Sequence, residues 1–497
     1  MPESGMSRRA FVALTGGIGA SLVHSRSVNS DPEPALPGPI DPTAASATAI
    51  AAAIRQRKLS SLEATSACLA RIEAVNPKLN AVVQLDGEAA LAEARRADQD
   101  LARGKTRGPL HGVPITIKDS LDTAGIVTTA GTKGWANRVP SEDAAVVARI
   151  RAAGAIVMGK TNTPELTMSY MTDNIVYGRT NNPYDQSKTP GGSSGGAAAI
   201  VAAGGSAFDI GSDTGGSIRL PSHFCGVAGL KPTSGRVPLT GHVVNWEGPW
   251  QAWTHLGPIA RSVDDLILLL PIIAGPDWRD PHVVPMPLHR AHLVQLPRLR
   301  VATYVDNGVG KVTPETVKTV TDAAEALRTA GAQVTATPLP EAELTYQLFN
   351  AAFSADGGAT LRRVLEKAGT TELSPFLEWL KSAKQAPSAE LTDLVEQVDR
   401  LRSRLVGFMR NYDILVCPVA TQPAFPHGVD PRTDGGTTYM VPFNVLGWPA
   451  AVVRCGSSPE GLPIGVQVVG RPWTEDVVLA VAKHLEREFG GWKPTRL

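Results

Sequence analysis

Short apolar runs set the frame of this chain: Val-Pro-Ile-Thr-Ile-Lys at 113–118 is followed by others at 155–158, 207–210, 300–304, 412–417, 450–454 and 464–469. Runs this brief, bounded by glycine, proline and polar residues, suit strands buried within a sheet better than buried helices, which need ten or more residues. Between them, 61–75, 88–103, 143–153 and 263–273 carry apolar residues at helical spacing. Ser262 is placed to cap the last of these, and Thr313 followed by Pro314 opens another helix to about residue 329. Helices alternating with strands, and strands at both ends of the chain, predict an α/β fold. Its core is one central mixed β-sheet covered by helices on both faces, with the mainly helical stretch 341–411 as a cover.

The 497 residues are 43% hydrophobic and 19% charged, with a formal net charge of +1. That balance gives no electrostatic footprint for nucleic acid. The interior holds no run of about 18 apolar residues, so no stable membrane insertion is expected. Four cysteines, Cys68, Cys225, Cys417 and Cys455, are far apart and form no C-x-x-C pair, which speaks against a zinc site or a disulfide framework and leaves buried free thiols, with a single bridge as the alternative. The N-terminus differs in character. Ser7-Arg8-Arg9-Ala10-Phe11 precedes a weakly apolar stretch at 12–23, the order of a twin-arginine export signal over 1–30, which predicts a periplasmic or secreted protein. Residues 31–42 are proline-rich and read as an extended tether, leaving 43–497 for the folded domain.

Three polar groups stand where backbone can approach closely: Lys118 at a strand end, Ser193 in Gly191-Gly-Ser-Ser-Gly-Gly196, and Ser217 in Gly211-Ser-Asp-Thr-Gly-Gly-Ser217. Glycines before Ser217 let successive N–H groups converge on one point, the arrangement that holds a developing oxyanion. A serine hydroxyl needs a base, and a lysine made neutral by burial can serve, with a second serine relaying the proton.

These residues carry a resemblance to the amidase signature family. Gly112-Val-Pro-Ile-Thr-Ile-Lys-Asp119 resembles its lysine motif, Thr189-Pro-Gly-Gly-Ser-Ser-Gly-Gly196 its bridging-serine motif, and Gly211-Ser-Asp-Thr-Gly-Gly-Ser-Ile-Arg-Leu-Pro221 its nucleophile motif, with Cys225-Gly-Val-Ala-Gly-Leu-Lys-Pro-Thr233 continuing the pattern. It covers the chain from about residue 43 to the C-terminus and is weakest between about 280 and 410. The resemblance implies a single large domain with a Ser-Ser-Lys triad, the middle serine on a cis peptide. Ser217 would be the nucleophile, Ser193 the bridge and Lys118 the base, with Thr214, Gly215, Gly216 and Ser217 supplying oxyanion N–H groups. Asp213, Arg219 and Ser194 would support the loop, and Met168, Tyr170, Met171 and Asp173 would line the acyl pocket or else simply fill core. It implies hydrolysis of a small-molecule amide through an acyl-enzyme, without metal or organic cofactor, by a monomer or homodimer. Ala197 departs from the acidic residue often found there and is expected to alter packing or surroundings, not the triad.

Other readings compete. Gly191, Ser193 and Gly195 also satisfy the G-x-S-x-G nucleophile elbow, although no strand precedes them, and the same glycines suit a flexible linker. His223 and His255 suggest a serine–histidine pair, or structural histidines. Trp246, Trp250 and Trp253 suggest an acyl-site wall, or plain packing. At the level of function, the alternatives are the glutamine-hydrolysing component of a tRNA-dependent amidotransferase, its A subunit, and a catalytically silent amide-binding scaffold.

Overall fold

Burial of the short apolar runs organises the chain. The computed structural model describes residues 40–244, 251–430 and 432–497. The proposed signal, most of the tether, Trp246 and Trp250 lie outside the described residues. Eleven strands form, in order β1 (Val82–Leu85), β2 (Pro114–Lys118), β3 (Ile156–Thr161), β4 (Phe208–Asp213), β5 (Ala228–Lys231), β6 (His255–Ala260), β7 (Arg300–Thr303), β8 (Gln333–Ala336), β9 (Ile414–Pro418), β10 (Ala450–Ser457) and β11 (Pro463–Gly470).

Eight of them make the central mixed sheet in the order β4-β6-β5-β10-β11-β9-β7-β8. Its β4 to β9 part is antiparallel and its β9-β7-β8 edge parallel. Alternation along β11 separates its two faces. Gln467 reaches the helix Arg219–Cys225 on one side, while helices Pro314–Thr329 and Glu475–Phe489 pack on the strands from the other. Ser262 caps helix Val263–Ile273 through the Asp265 N–H, as its position predicts, and Pro314 is the first residue of helix Pro314–Thr329. The covering helices Ala342–Ser354 and Ser388–Met409 share a core with Leu415, Tyr439 and Phe443.

The single expected sheet is in fact accompanied by a second. Strands β1, β3 and β2 form a three-stranded sheet in that order. At its seam with β4, side chains take the place of a backbone ladder: Asp209 on β4 accepts from Thr116 on β2 at 2.7 Å and from Thr161 on β3 at 3.0 Å. The site lies at this seam, where the ends of β2 and β4 meet the helix Gly195–Ala202. All eight residues of that helix are buried, Ala197 among them, packed in a cluster with Ile72 and Val75. An acidic side chain at 197 would carry a charge into that cluster, so the alanine is a packing choice. The four cysteines are free and buried.

Candidate active site

Lysine at the last position of β2 is fully buried, and three serine hydroxyls surround its ammonium nitrogen. Lys118 Nζ lies 2.6 Å from Ser193 Oγ, 2.9 Å from Ser194 Oγ and 2.9 Å from Ser212 Oγ. Burial drives Lys118 down from 10.5 to about 7, against the opposing pull of Asp209 and Asp213. A neutral amine has two hydrogens and one lone pair. The three hydroxyls can take the three N–H bonds of the ammonium or, once the amine is neutral, take two and donate one, and Ser193 is the closest.

Ser193 follows a cis peptide at Gly192–Ser193. A Cβ on Gly192 would stand 2.7 Å from the Met171 nitrogen, so only glycine lets this loop lie against the 168–171 segment. Thr172 holds the loop from both ends, donating to the Gly191 carbonyl and accepting from the Gly195 N–H. The Ser194 N–H donates to the Ser217 carbonyl at 3.2 Å, which lays the two serine loops side by side.

The nucleophile loop turns on Asp213. Its carboxylate accepts from the Gly216 and Ile218 N–H groups at 2.8 and 3.1 Å, from Arg219 Nε and Nη2 at 3.0 and 2.9 Å, and from Asn444 Nδ2 at 2.8 Å. Burial alone would raise this carboxyl. The Arg219 guanidinium and its hydrogen bonds outweigh burial and hold Asp213 well below the carboxylate range. Arg219 also donates to the Met440 carbonyl and to Gln467, which ties the loop to β11.

Gly216 takes φ 127°, and a Cβ there would stand 2.4 Å from Met440 Sδ. The Gly215–Gly216 peptide is clamped at both ends: Tyr170 donates to the Gly215 carbonyl at 3.1 Å while the Gly216 N–H goes to Asp213. This corrects the four-amide expectation. Gly216 is committed to Asp213, whereas the amides of Thr214, Gly215 and Ser217 make no hydrogen bond among the described residues.

Ser217, 8% exposed, opens onto a cavity of about 530 Å³. Met168, Tyr170 and Met171 line it together with Tyr346, Phe349, Phe353, Phe376 and Trp379, and the Asp430–Arg432 ion pair and Asn350 also face it. The expected Met168 and Tyr170 are thus at the cavity, but Asp173 is not. It lines a smaller neighbouring hollow with Arg179 and His427. Trp253 is not a wall either; it stacks on Phe349 from behind, ring centres 5.3 Å apart.

Both histidines are structural. His223 accepts from the Gly465 N–H at 2.7 Å and is pressed down to about 4 by burial; His255 bridges the Asp213 carbonyl and Ser234. No strand precedes Ser193 and neither histidine reaches it, so the elbow reading falls. Sequence reasoning missed Ser212, Asn444, Gln467 and the ring-bearing wall. Ser212 lies inside the nucleophile motif, but the others belong to stretches without a motif. Among the described residues no group of His, Cys, Asp and Glu is arranged to hold a metal ion.

Comparison with known proteins adds to this geometry. The family model described as Amidase matches residues 63–479. An acylamidase of Rhodococcus erythropolis is 36% identical over 485 residues, covering 90% of this chain and 97% of that one. The A subunit of the glutamyl-tRNA(Gln) amidotransferase of Chloroflexus aggregans is 37% identical over 466 residues, covering 88% and 94%. Among solved structures, a fatty acid amide hydrolase superposes with a TM-score of 0.83 at 27% identity, covering 92% of this chain and 87% of its own.

Proposed function

This chain belongs to the amidase family and is an amide hydrolase working through an acyl-enzyme, and from that premise we propose that Ser217 carries the acyl group, Ser193 relays the proton and Lys118 is the base. Neutral Lys118 takes the Ser193 proton as Ser193 takes that of Ser217, and Ser217 Oγ attacks the amide carbon. The N–H groups of Thr214, Gly215 and Ser217 receive the oxyanion. On collapse the C–N bond breaks, and the amine leaves with the proton returned from Lys118 through Ser193. Water then attacks the ester by the same relay and releases the carboxylate. The observation that carries this reading is the 2.6 Å contact between a fully buried Lys118 and Ser193, beside the Ser217 loop.

The substrate is an amide with a bulky apolar acyl group. The cavity beyond Ser217 carries aromatic rings and methionines, which bind through apolar area, while its polar groups include Asn350 and the Asp430–Arg432 ion pair. Glutamine, the substrate of the amidotransferase component, is small and would leave those rings uncovered. Identity to the two kinds of relative is nearly equal and does not separate them. Turnover of a series of p-nitroanilides tests the choice. A rise in kcat/KM from acetyl to longer or aromatic acyl groups is expected; hydrolysis of glutamine alone would overturn it.

Location is part of the same reading: Arg8-Arg9 ahead of the apolar stretch at 12–23 directs export, and a periplasmic enzyme has no aminoacyl-tRNA to serve. Replacing both arginines by lysine should keep the enzyme in the cytoplasmic fraction; unchanged export would refute the assignment.

A further inference from the structure

With Lys118 read as the base, we propose that Asp209 is its positioning residue: a buried carboxylate at the seam of the two sheets that fixes the end of β2 and keeps a negative charge against the lysine. No step of the reaction uses Asp209, yet a carboxylate with 0% exposure in a protein core is costly unless something depends on it.

Its bonds show what that is. Oδ2 accepts from Thr116 and Thr161 hydroxyls. Thr116 lies two residues before Lys118 and so on the same face of β2, and Thr161 is the residue paired with Lys118 on β3. The Lys118 backbone N–H faces the same carboxylate. Asp209 therefore grips the residues on two sides of the lysine. Its other oxygen, Oδ1, has no hydrogen-bond partner among the described residues, leaving its charge incompletely compensated where it acts on Lys118.

The charged and titratable groups around this point are few. Lys118 feels Asp209 first and Asp213 second, and His242 lies within its field. Asp209 feels Lys160 from β3. Burial pushes Asp209 up to about 7 against its threonine bonds, the same range to which burial drives Lys118 down. Two groups this close in space and proton affinity titrate together. A negative Asp209 favours the ammonium, which returns the proton to the leaving amine; without it the lysine gives up its proton more readily and at lower pH.

The test is the pH dependence of the rate of fluorophosphonate labelling at Ser217, a rate read per active molecule and hence independent of the folded fraction. Wild type, Asp209→Asn and Thr116→Val are compared. Asparagine keeps an acceptor for both threonines and removes the charge. Its acid limb is expected to move down by about one pH unit, so that labelling at pH 6, relative to each plateau, rises about fivefold. Thr116→Val removes a bond that stabilises the carboxylate, and its limb should move the same way by less. An unmoved limb in Asp209→Asn, whatever its plateau, would make Asp209 merely structural and overturn the proposal while Lys118 remains the base. If Asp209→Asn gives no soluble protein, Thr116→Val decides by the same criterion. Unchanged labelling in Lys118→Met would instead overturn the base assignment and this inference with it.

Discussion

Replacing Arg219 by methionine removes the cation from the most buried ion pair of the site while keeping most of the side-chain volume. Arg219 and Asp213 are both 0% exposed, and the guanidinium makes two of the carboxylate's bonds as well as those to Met440 and Gln467. Removing one partner of such a pair strands the other charge in the core, a loss of about 3–5 kcal/mol. The pH dependence has a definite sign. In wild type Asp213 is held below its unfolded value, so its contribution is fully present above about pH 4 and is lost only as pH falls through the folded value. In Arg219→Met burial dominates and the carboxyl rises above its unfolded value. The variant then regains stability relative to wild type as pH falls through that raised value. Urea unfolding followed by tryptophan fluorescence at pH 7.5 and 5 reads both effects. A gap of about 3–5 kcal/mol at pH 7.5 that narrows at pH 5 is expected. A gap below about 1 kcal/mol, as for an exposed pair such as Lys318–Asp322, or one that does not change with pH, would refute the reasoning.

Other outcomes follow from the same geometry. Ser193→Ala should cut kcat by about 10²–10⁴-fold and leave a measurable remainder, because a water can bridge the relay, whereas Ser217→Ala should abolish turnover; equal rates in steady-state assays would contradict the relay. Gly216→Ala places a Cβ against Met440 Sδ at a φ that alanine avoids, and should cost about 1–3 kcal/mol in urea unfolding and slow labelling at Ser217. Trp379→Ala should raise KM about tenfold for anilides with a long or aromatic acyl chain and leave the acetyl anilide unchanged, since the indole lines the cavity beyond Ser217. Asp173→Asn should change KM less than about twofold, because Asp173 lies outside that cavity.

Much of this was legible in the sequence wherever a residue's role is set by its neighbours in the chain. The strands β2, β3, β4, β7, β9, β10 and β11 follow from short apolar runs, and the loops at Ser193 and Ser217 from glycines that backbone contact demands. Strand β6 was missed because His255-Leu-Gly-Pro-Ile-Ala260 contains the glycine and proline that normally argue against a strand. Its pairing with β5 involves only Ile259 and Ala260, past the proline. The exposed β8 and the four-residue β1 and β5 carry too little pattern to detect. The second sheet was missed for a different reason: its seam is made by side chains of Asp209, Thr116 and Thr161, residues about 50 to 90 positions apart that no local period connects. The same applies to Asn444 and Gln467, which meet Arg219 from more than 200 residues away. The ring-bearing wall comes from the 341–411 cover, where helical spacing shows which positions are apolar but not which of them face Ser217.

Treatment of the purified protein with a fluorophosphonate, followed by mass-spectrometric location of the adduct, tests the central assignment most directly. A single adduct on Ser217, absent from Lys118→Met at neutral pH, is the expected result. An adduct on Ser193, or none on wild-type protein, would contradict it.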